Sequence, residues 1–387
     1  MATNTSHTSS AGVDGSVADL VRDPVSDGLI DWDFAAATAN RLLRSGSDIT
    51  VSSARMVVAE LKRHAADAEG HVTDFTGLVP AGETPVLVVD RPSWVQANLD
   101  GFQVVLRPLL GKVFDRRTTQ PAIGITIPLG AKVLAVELGS VLAFLATRVL
   151  GQYETFAFQH GAGQSANGRL LIVAPNVVRT ERDMNVNTRD FRLWVCLHEQ
   201  THRLQFTAVP WLRQHLADEV ASFLTSLDVD PLALARQVKD AARAVTNKDP
   251  ADAEGELAEV AQTPIQRDRL SRLIALMTLL EGHAEYVMDG VGPAVIPSVR
   301  EIREKFQQRR AGRGWWDAML RRLLGLDLKL RQYQEGEHFV RAVVDRVGMA
   351  GFNQVWTSPA TLPSRAEIRD PNSWVARVHS SACNRAE

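Results

Sequence analysis

Between Thr188 and Phe206 the chain reads TRDFRLWVCLHEQTHRLQF, a helical stretch apolar on nearly every face that still carries two histidines and a glutamate. A helix with Phe191, Leu193, Trp194, Val195, Cys196, Leu197, Leu204 and Phe206 around it belongs inside the protein. Burying two imidazoles and a carboxylate there without partners would cost several kcal/mol. The spacing offers a way out. His198-Glu199-Gln200-Thr201-His202 is HExxH, and residues four apart lie one above the other on a helix. Both imidazoles can therefore give a nitrogen to one Zn²⁺ at about 2.0 to 2.1 Å. Glu199 is turned about 100° from His198, away from the metal but within reach of a water that such an ion activates. That chemistry needs neutral imidazoles as donors and a carboxylate as proton acceptor.

A catalytic zinc site takes a third protein ligand and keeps one position open. The stretch Leu279-Leu-Glu-Gly-His-Ala-Glu-Tyr286 lies on another long apolar helix and supplies Glu281 as the candidate. Gly282 would let backbone approach closely beside it. Glu285, one turn further, shares its face and is a rival ligand; His283, roughly 200° round the wheel, is another. Glu285 and Asp289 also suit a supporting place, either pairing with Arg or accepting a hydrogen bond from a ligand imidazole. Tyr333 is a candidate to hold an oxyanion opposite the metal, against the plainer reading of a core tyrosine with its hydroxyl satisfied.

The expected architecture is mainly α with a small amount of β-strand. Residues 1–27 are Ser-, Thr-, Gly- and Asp-rich and read as a disordered tail. Two amphipathic helices are expected from Trp32 to about His64, split by a turn at Ser45 to Asp48. Val86 to Val89 and Leu170 to Ala174 read as strands, the latter ended by Pro175-Asn176. Helices are expected over Val95 to Leu110 and Lys132 to Gly151, with Pro121 to Pro128 extended between them. Thr188 is a plausible N-cap for the HExxH helix, which stops before Pro210, and a further helix spans Trp211 to Leu227. Thr263 and Pro264 open the longest helix, which Gly290 and Pro293 close. Lys248 to Thr263 reads as an acidic surface loop, Arg309 to Arg322 as a solvated basic face, and the end of the chain as loop-rich. The domain division expected is 28–165 as a helical part packed on a catalytic region at 166–376, with 377–387 as a tail.

The 387 residues carry a formal net charge of -2, with no basic excess to recruit nucleic acid and no polybasic run for a membrane surface. The most apolar stretch, Val133 to Leu150, is interrupted by Glu137 and Arg148 and reads as a buried helix. The two cysteines, Cys196 and Cys383, are too few for a disulfide scaffold, and the N-terminus has no apolar signal core. A cytoplasmic location is expected, and oligomeric state is left open.

The EGHAEY stretch resembles the glutamate-helix motif of gluzincin peptidases. Further segments resemble an actinobacterial group of zincin-like metallopeptidases, grouped as hydrolases without a defined substrate and sometimes labelled as associated with deazaflavin-coenzyme biosynthesis. They are VDRPSWVQAN, RVLGQYETF, LLIVAPNVV, FRLWVCLHEQTHRLQF with VPWLRQHL, LLEGHAEYVMDGVGPAVIPSVREIR and LLGLDLKLRQYQEGEHFV, spread from about residue 80 to 376. The resemblance implies a mostly α zincin with His198, His202 and Glu281 as zinc ligands and Glu199 as base. The expected partner is a peptide or protein substrate cleaved at an amide bond. The competing expectations are a zincin fold kept as a binding or scaffolding module, and a non-peptidase hydrolase in cofactor metabolism.

Overall fold

A computed structural model describes residues 29–43, 49–119, 127–156, 168–226, 263–311 and 331–383. The expected tail at 1–27, the turn at Ser45 to Asp48, most of Pro121 to Pro128, the acidic stretch before Thr263 and most of the basic run lie outside them. Among the described residues the α-helices are α1 (Trp32–Leu42), α2 (Val51–Thr76), α3 (Arg91–Thr119), α4 (Ile127–Ala146), α5 (Ala174–Met184), α6 (Thr188–Ala208), α7 (Leu212–Ser226), α8 (Pro264–Val295), α9 (Val299–Ala311), α10 (Arg331–Phe352), α11 (Arg365–Arg369) and α12 (Pro371–Cys383). Three short strands, β1 (Val86–Val89), β2 (Gly151–Glu154) and β3 (Arg169–Val173), form one sheet in the order β1-β3-β2. The chain is mainly α with a little β, as expected. No helix among the described residues is long and apolar enough to cross a membrane.

β3 is central, parallel to β1 (Val86 opposite Leu170) and antiparallel to β2 (Gly151 opposite Ile172). Its unbroken apolar run follows from burial on both faces. Side chains alternate along a strand: Ile172 joins one hydrophobic cluster, while Leu171 and Val173 join the other. The second cluster is built by α1, α3 and α4 through Trp32, Ala35, Trp94, Leu99 and Leu142. The first contains α6. There Leu61, Ala65, Ala68 and Val72 of α2 line the HExxH helix, and Gln200 Nε2 donates to the Ala65 carbonyl at 2.7 Å. Cys196 is fully buried with Sγ 3.7 Å from the Leu61 carbonyl oxygen, and burial pushes its thiol pKa up, which makes it a structural thiol.

Several boundaries differ from expectation. Asn187, not Thr188, caps α6: its side chain accepts from the Asp190 amide at 3.0 Å. Asp190 in turn accepts from the Ser298 amide and hydroxyl, tying the start of α6 to the start of α9. Pro175, expected only to end the strand, lies in the first turn of α5, where its missing N–H costs nothing. The helix expected to reach Gly151 ends at Ala146, and Gly151 begins β2. Ile127 and Pro128 are the first turn of α4 instead of a strand. The tail is largely helical, because Ser364 and Glu367 form a capping box for α11 and α12 follows it directly. For α8 the Thr263 cap holds: Thr263 and Gln266 complete a capping box with Pro264 in the first turn. The helix runs past Gly290 to Val295, broken at Gly292, whose φ of 67° suits glycine.

α8 and α10 cross in backbone contact. A Cβ on Gly282 would overlap the Gly336 carbonyl group, and one on Gly336 would overlap the Thr278 carbonyl oxygen. The close approach expected at Gly282 is thus made to α10. Gly282→Ala should destabilise the fold by about 1 to 3 kcal/mol or more, as overpacking does. Gly70→Ala in α2, where a Cβ meets nothing within 4 Å, should be neutral or stabilise by up to about 1 kcal/mol. Denaturant melts of the two variants check the contrast; equal midpoints would contradict it.

Candidate metal centre

α6 brings His198 and His202 to one side, their rings perpendicular with centroids 4.6 Å apart and Nε2 atoms 3.1 Å apart. α8 delivers Glu281 to the same point. Its Oε2 lies 3.7 Å from His198 Nε2 and its Oε1 3.5 Å from His202 Nε2. One ligating atom from each of the three residues lies within 4.8 Å of the others. Two donors on a tetrahedral ion at about 2.0 to 2.1 Å stand about 3.3 Å apart. The three separations bracket that edge, so the residues fit a small divalent cation.

The outer nitrogens of the two rings are occupied. His198 Nδ1 lies 3.2 Å from Met288 Sδ, and His202 Nδ1 lies 2.9 Å from Gln205 Oε1. This leaves both Nε2 atoms facing the cluster, as ligand imidazoles require. Glu281 and Glu199 are both buried. Burial, and then the Glu281 carboxylate nearby, push the Glu199 pKa well above the usual carboxylate range. Above Glu199 runs edge strand β2. A Cβ on Gly151 would come within 2.5 Å of Glu199 Cδ and 2.7 Å of its Oε1, so the absence of a side chain there makes room for the carboxyl group.

The rival candidates lie elsewhere. Glu285 is half-buried and is not among the three converging residues. Asp289 pairs with Arg303 and, at 3.3 Å, with Arg341, in a network that Glu337 completes from α10. His283 is fully buried and outside the triangle, stacked on Phe352 at 5.3 Å and edge-on to Trp356 at 5.4 Å. Burial, and secondarily His202, lower its pKa to about 3, so this imidazole is neutral. Tyr333 lies in the first turn of α10, but its side chain lies outside the described residues. Gln205, Met288 and Gly151 were not singled out from the sequence. Gln205 did carry a signal, as an amide three residues after His202 on a helix that buries nearly everything. Met288 and Gly151 carried none, because only tertiary packing brings them to α6.

A crystal structure from Chloroflexus aurantiacus, described as a "putative hydrolase with a novel fold", is similar to this chain at 31% identity and a TM-score of 0.66, covering 90% of this chain and 98% of that one. No curated protein matches. The family model for zincin-like metallopeptidases matches residues 30–375, a span that includes β1 to β3, α6, α8 and all three converging residues. The chain belongs to the zincin-like metallopeptidase family.

Proposed function

We propose that this protein is a zinc-dependent hydrolase that cleaves amide bonds of a peptide or protein substrate, with Glu199 as general base. The observation that carries this reading is the convergence of His198, His202 and Glu281 beside a second buried carboxylate that takes no part in the triangle. Those three side chains would hold zinc, which would supply Lewis acidity to the site. Glu199 then takes the proton of the attacking water and passes it to the departing nitrogen. The absence of a side chain at Gly151 leaves room for that carboxyl group. Exclusion of solvent strengthens each of these interactions.

The sparse cysteines support a cytoplasmic setting. The likeness to the deazaflavin-associated actinobacterial group rests on sequence segments and adds no substrate. A binding or scaffolding module would gain nothing from a buried Glu199 beside the triangle.

The direct test is metal analysis followed by digestion of an unbiased peptide library. Purified protein should hold about one zinc per chain, and His198→Ala and His202→Ala should each lower that content several-fold. Near-stoichiometric zinc in the double variant would refute the metal centre. Zinc-loaded protein that cuts no peptide would favour the module or a non-peptidase hydrolase.

A further inference from the structure

Gln205 sits where α6 faces α8, fully buried, and its amide touches three groups. Oε1 is 2.9 Å from His202 Nδ1; Nε2 is 2.9 Å from the Leu280 carbonyl oxygen and 3.0 Å from His283 Nδ1. An amide can be placed either way round, and the choice is decided by its partners. A backbone carbonyl is an acceptor and nothing else. The Leu280 oxygen therefore demands the NH₂ end of Gln205. Turning the amide over would set two oxygens against each other in a fully buried place.

That one carbonyl fixes the rest of the chain of contacts. With NH₂ toward Leu280, the amide oxygen faces His202, so Nδ1 of His202 must carry hydrogen and Nε2 must carry the lone pair. The second hydrogen of the same NH₂ points at His283, so Nδ1 of His283 must be an acceptor and its proton must sit on Nε2. That Nε2 is buried with no hydrogen-bond partner among the described residues. His283 thus ends the relay, held flat on Phe352 instead of being wired to solvent.

We propose that Gln205 is a positioning residue that locks His202 in the Nδ1–H tautomer, with the Leu280 carbonyl and His283 as the reference that orients it. A free imidazole in water favours the opposite tautomer, in which Nε2 holds the hydrogen and has no lone pair to give. The lock removes that cost before any metal arrives. It also explains a histidine at position 283 that takes no part in the triangle: the residue is the second acceptor that keeps the amide from turning. The value of the lock for zinc rests on the reading of His202 Nε2 as a ligand, but the tautomer itself is a property of the metal-free chain.

The test uses full-length, chelator-treated protein with ¹⁵N-labelled histidine, at a pH where exposed imidazoles are neutral. Long-range ¹H–¹⁵N spectra should show His202 as Nδ1–H and His283 as Nε2–H. In Gln205→Leu, His202 should move to a mixture containing the Nε2–H form, and zinc affinity by chelator competition should fall by about 10- to 100-fold, the range for groups that orient a metal ligand. Gln205→Glu separates this role from mere packing: buried and protonated, its carbonyl oxygen still accepts from His202 and its hydroxyl donates to the Leu280 carbonyl, which leaves no hydrogen for His283. It should restore the His202 tautomer and most of the zinc affinity while moving the His283 proton to Nδ1. A wild-type His202 found as Nε2–H would overturn the proposal, as would a Gln205→Leu protein whose tautomer and zinc affinity are unchanged. If the wild-type tautomers are as stated and the protein binds no zinc, the lock stands and the zinc reading fails.

Discussion

Replacing Glu199 with glutamine is expected to leave zinc content unchanged and to lower peptide hydrolysis by at least ~10²-fold, the lower end of what a positioned proton acceptor contributes. Glutamine keeps the size of the side chain and its capacity to accept a hydrogen bond, so the packing against Gly151 should survive. What is lost is a group able to hold the proton of water and release it to the leaving nitrogen. The three converging residues are untouched, so the metal should stay. Gly151→Ala provides an independent check on the same carboxylate. Its methyl group would fall 2.5 Å from Glu199 Cδ, and the flexible carboxyl end is the part able to give way. That variant should keep zinc and lose activity without any change at position 199. Zinc-loaded Glu199→Gln that hydrolyses peptide at the wild-type rate would remove Glu199 from the mechanism.

The second large effect is expected at Glu281. Its two carboxylate oxygens face different histidines, at 3.7 and 3.5 Å, which is the placement of a third donor and not of a distant helper. Glu281→Ala should weaken zinc binding as badly as His202→Ala. Glu285→Ala should cost no more than the ~10- to 100-fold of a supporting residue. Two carboxylates one turn apart on a helix are about 5.4 Å apart along its axis, so a single ion held by α6 can normally take only one. Asp289 supports the same ordering, since it is already engaged by Arg303 and Arg341. Chelator competition on the three variants decides the matter. Zinc lost from Glu285→Ala and retained by Glu281→Ala would reverse the assignment and leave the histidine pair standing.

Much of the helical framework was legible because it depends on near neighbours in the chain. Thr263, Pro264 and Gln266 start α8 by satisfying its first N–H groups, a matter of three residues. The apolar run Leu170 to Val173 had to be a strand covered on both faces, whichever elements covered it. Where local signals were subtle the boundaries moved: Asn187 took the cap from Thr188, and Pro175 opened a helix. A proline after a strand suits a first helical turn as well as a loop, and only the following residues decide which.

At the site the division is sharper. The meeting of His198 and His202 follows from helical geometry, since residues i and i+4 share a face wherever the helix is placed. Which residue of LLEGHAEY would join them could not follow from α8 alone, because Glu281, His283 and Glu285 differ by rotation and height on one helix. Gly282 and Gly336 let α8 and α10 meet in backbone contact, and in that packing it is Glu281 that faces the two histidines. His283 stays out of the triangle and meets Gln205 of α6 together with Phe352 and Trp356. The spacing of two imidazoles was thus local and belonged to the sequence. The third converging residue, the amide beside His202 and the glycine that makes room for Glu199 were set by long-range packing, which depends on surfaces from segments far apart in the chain.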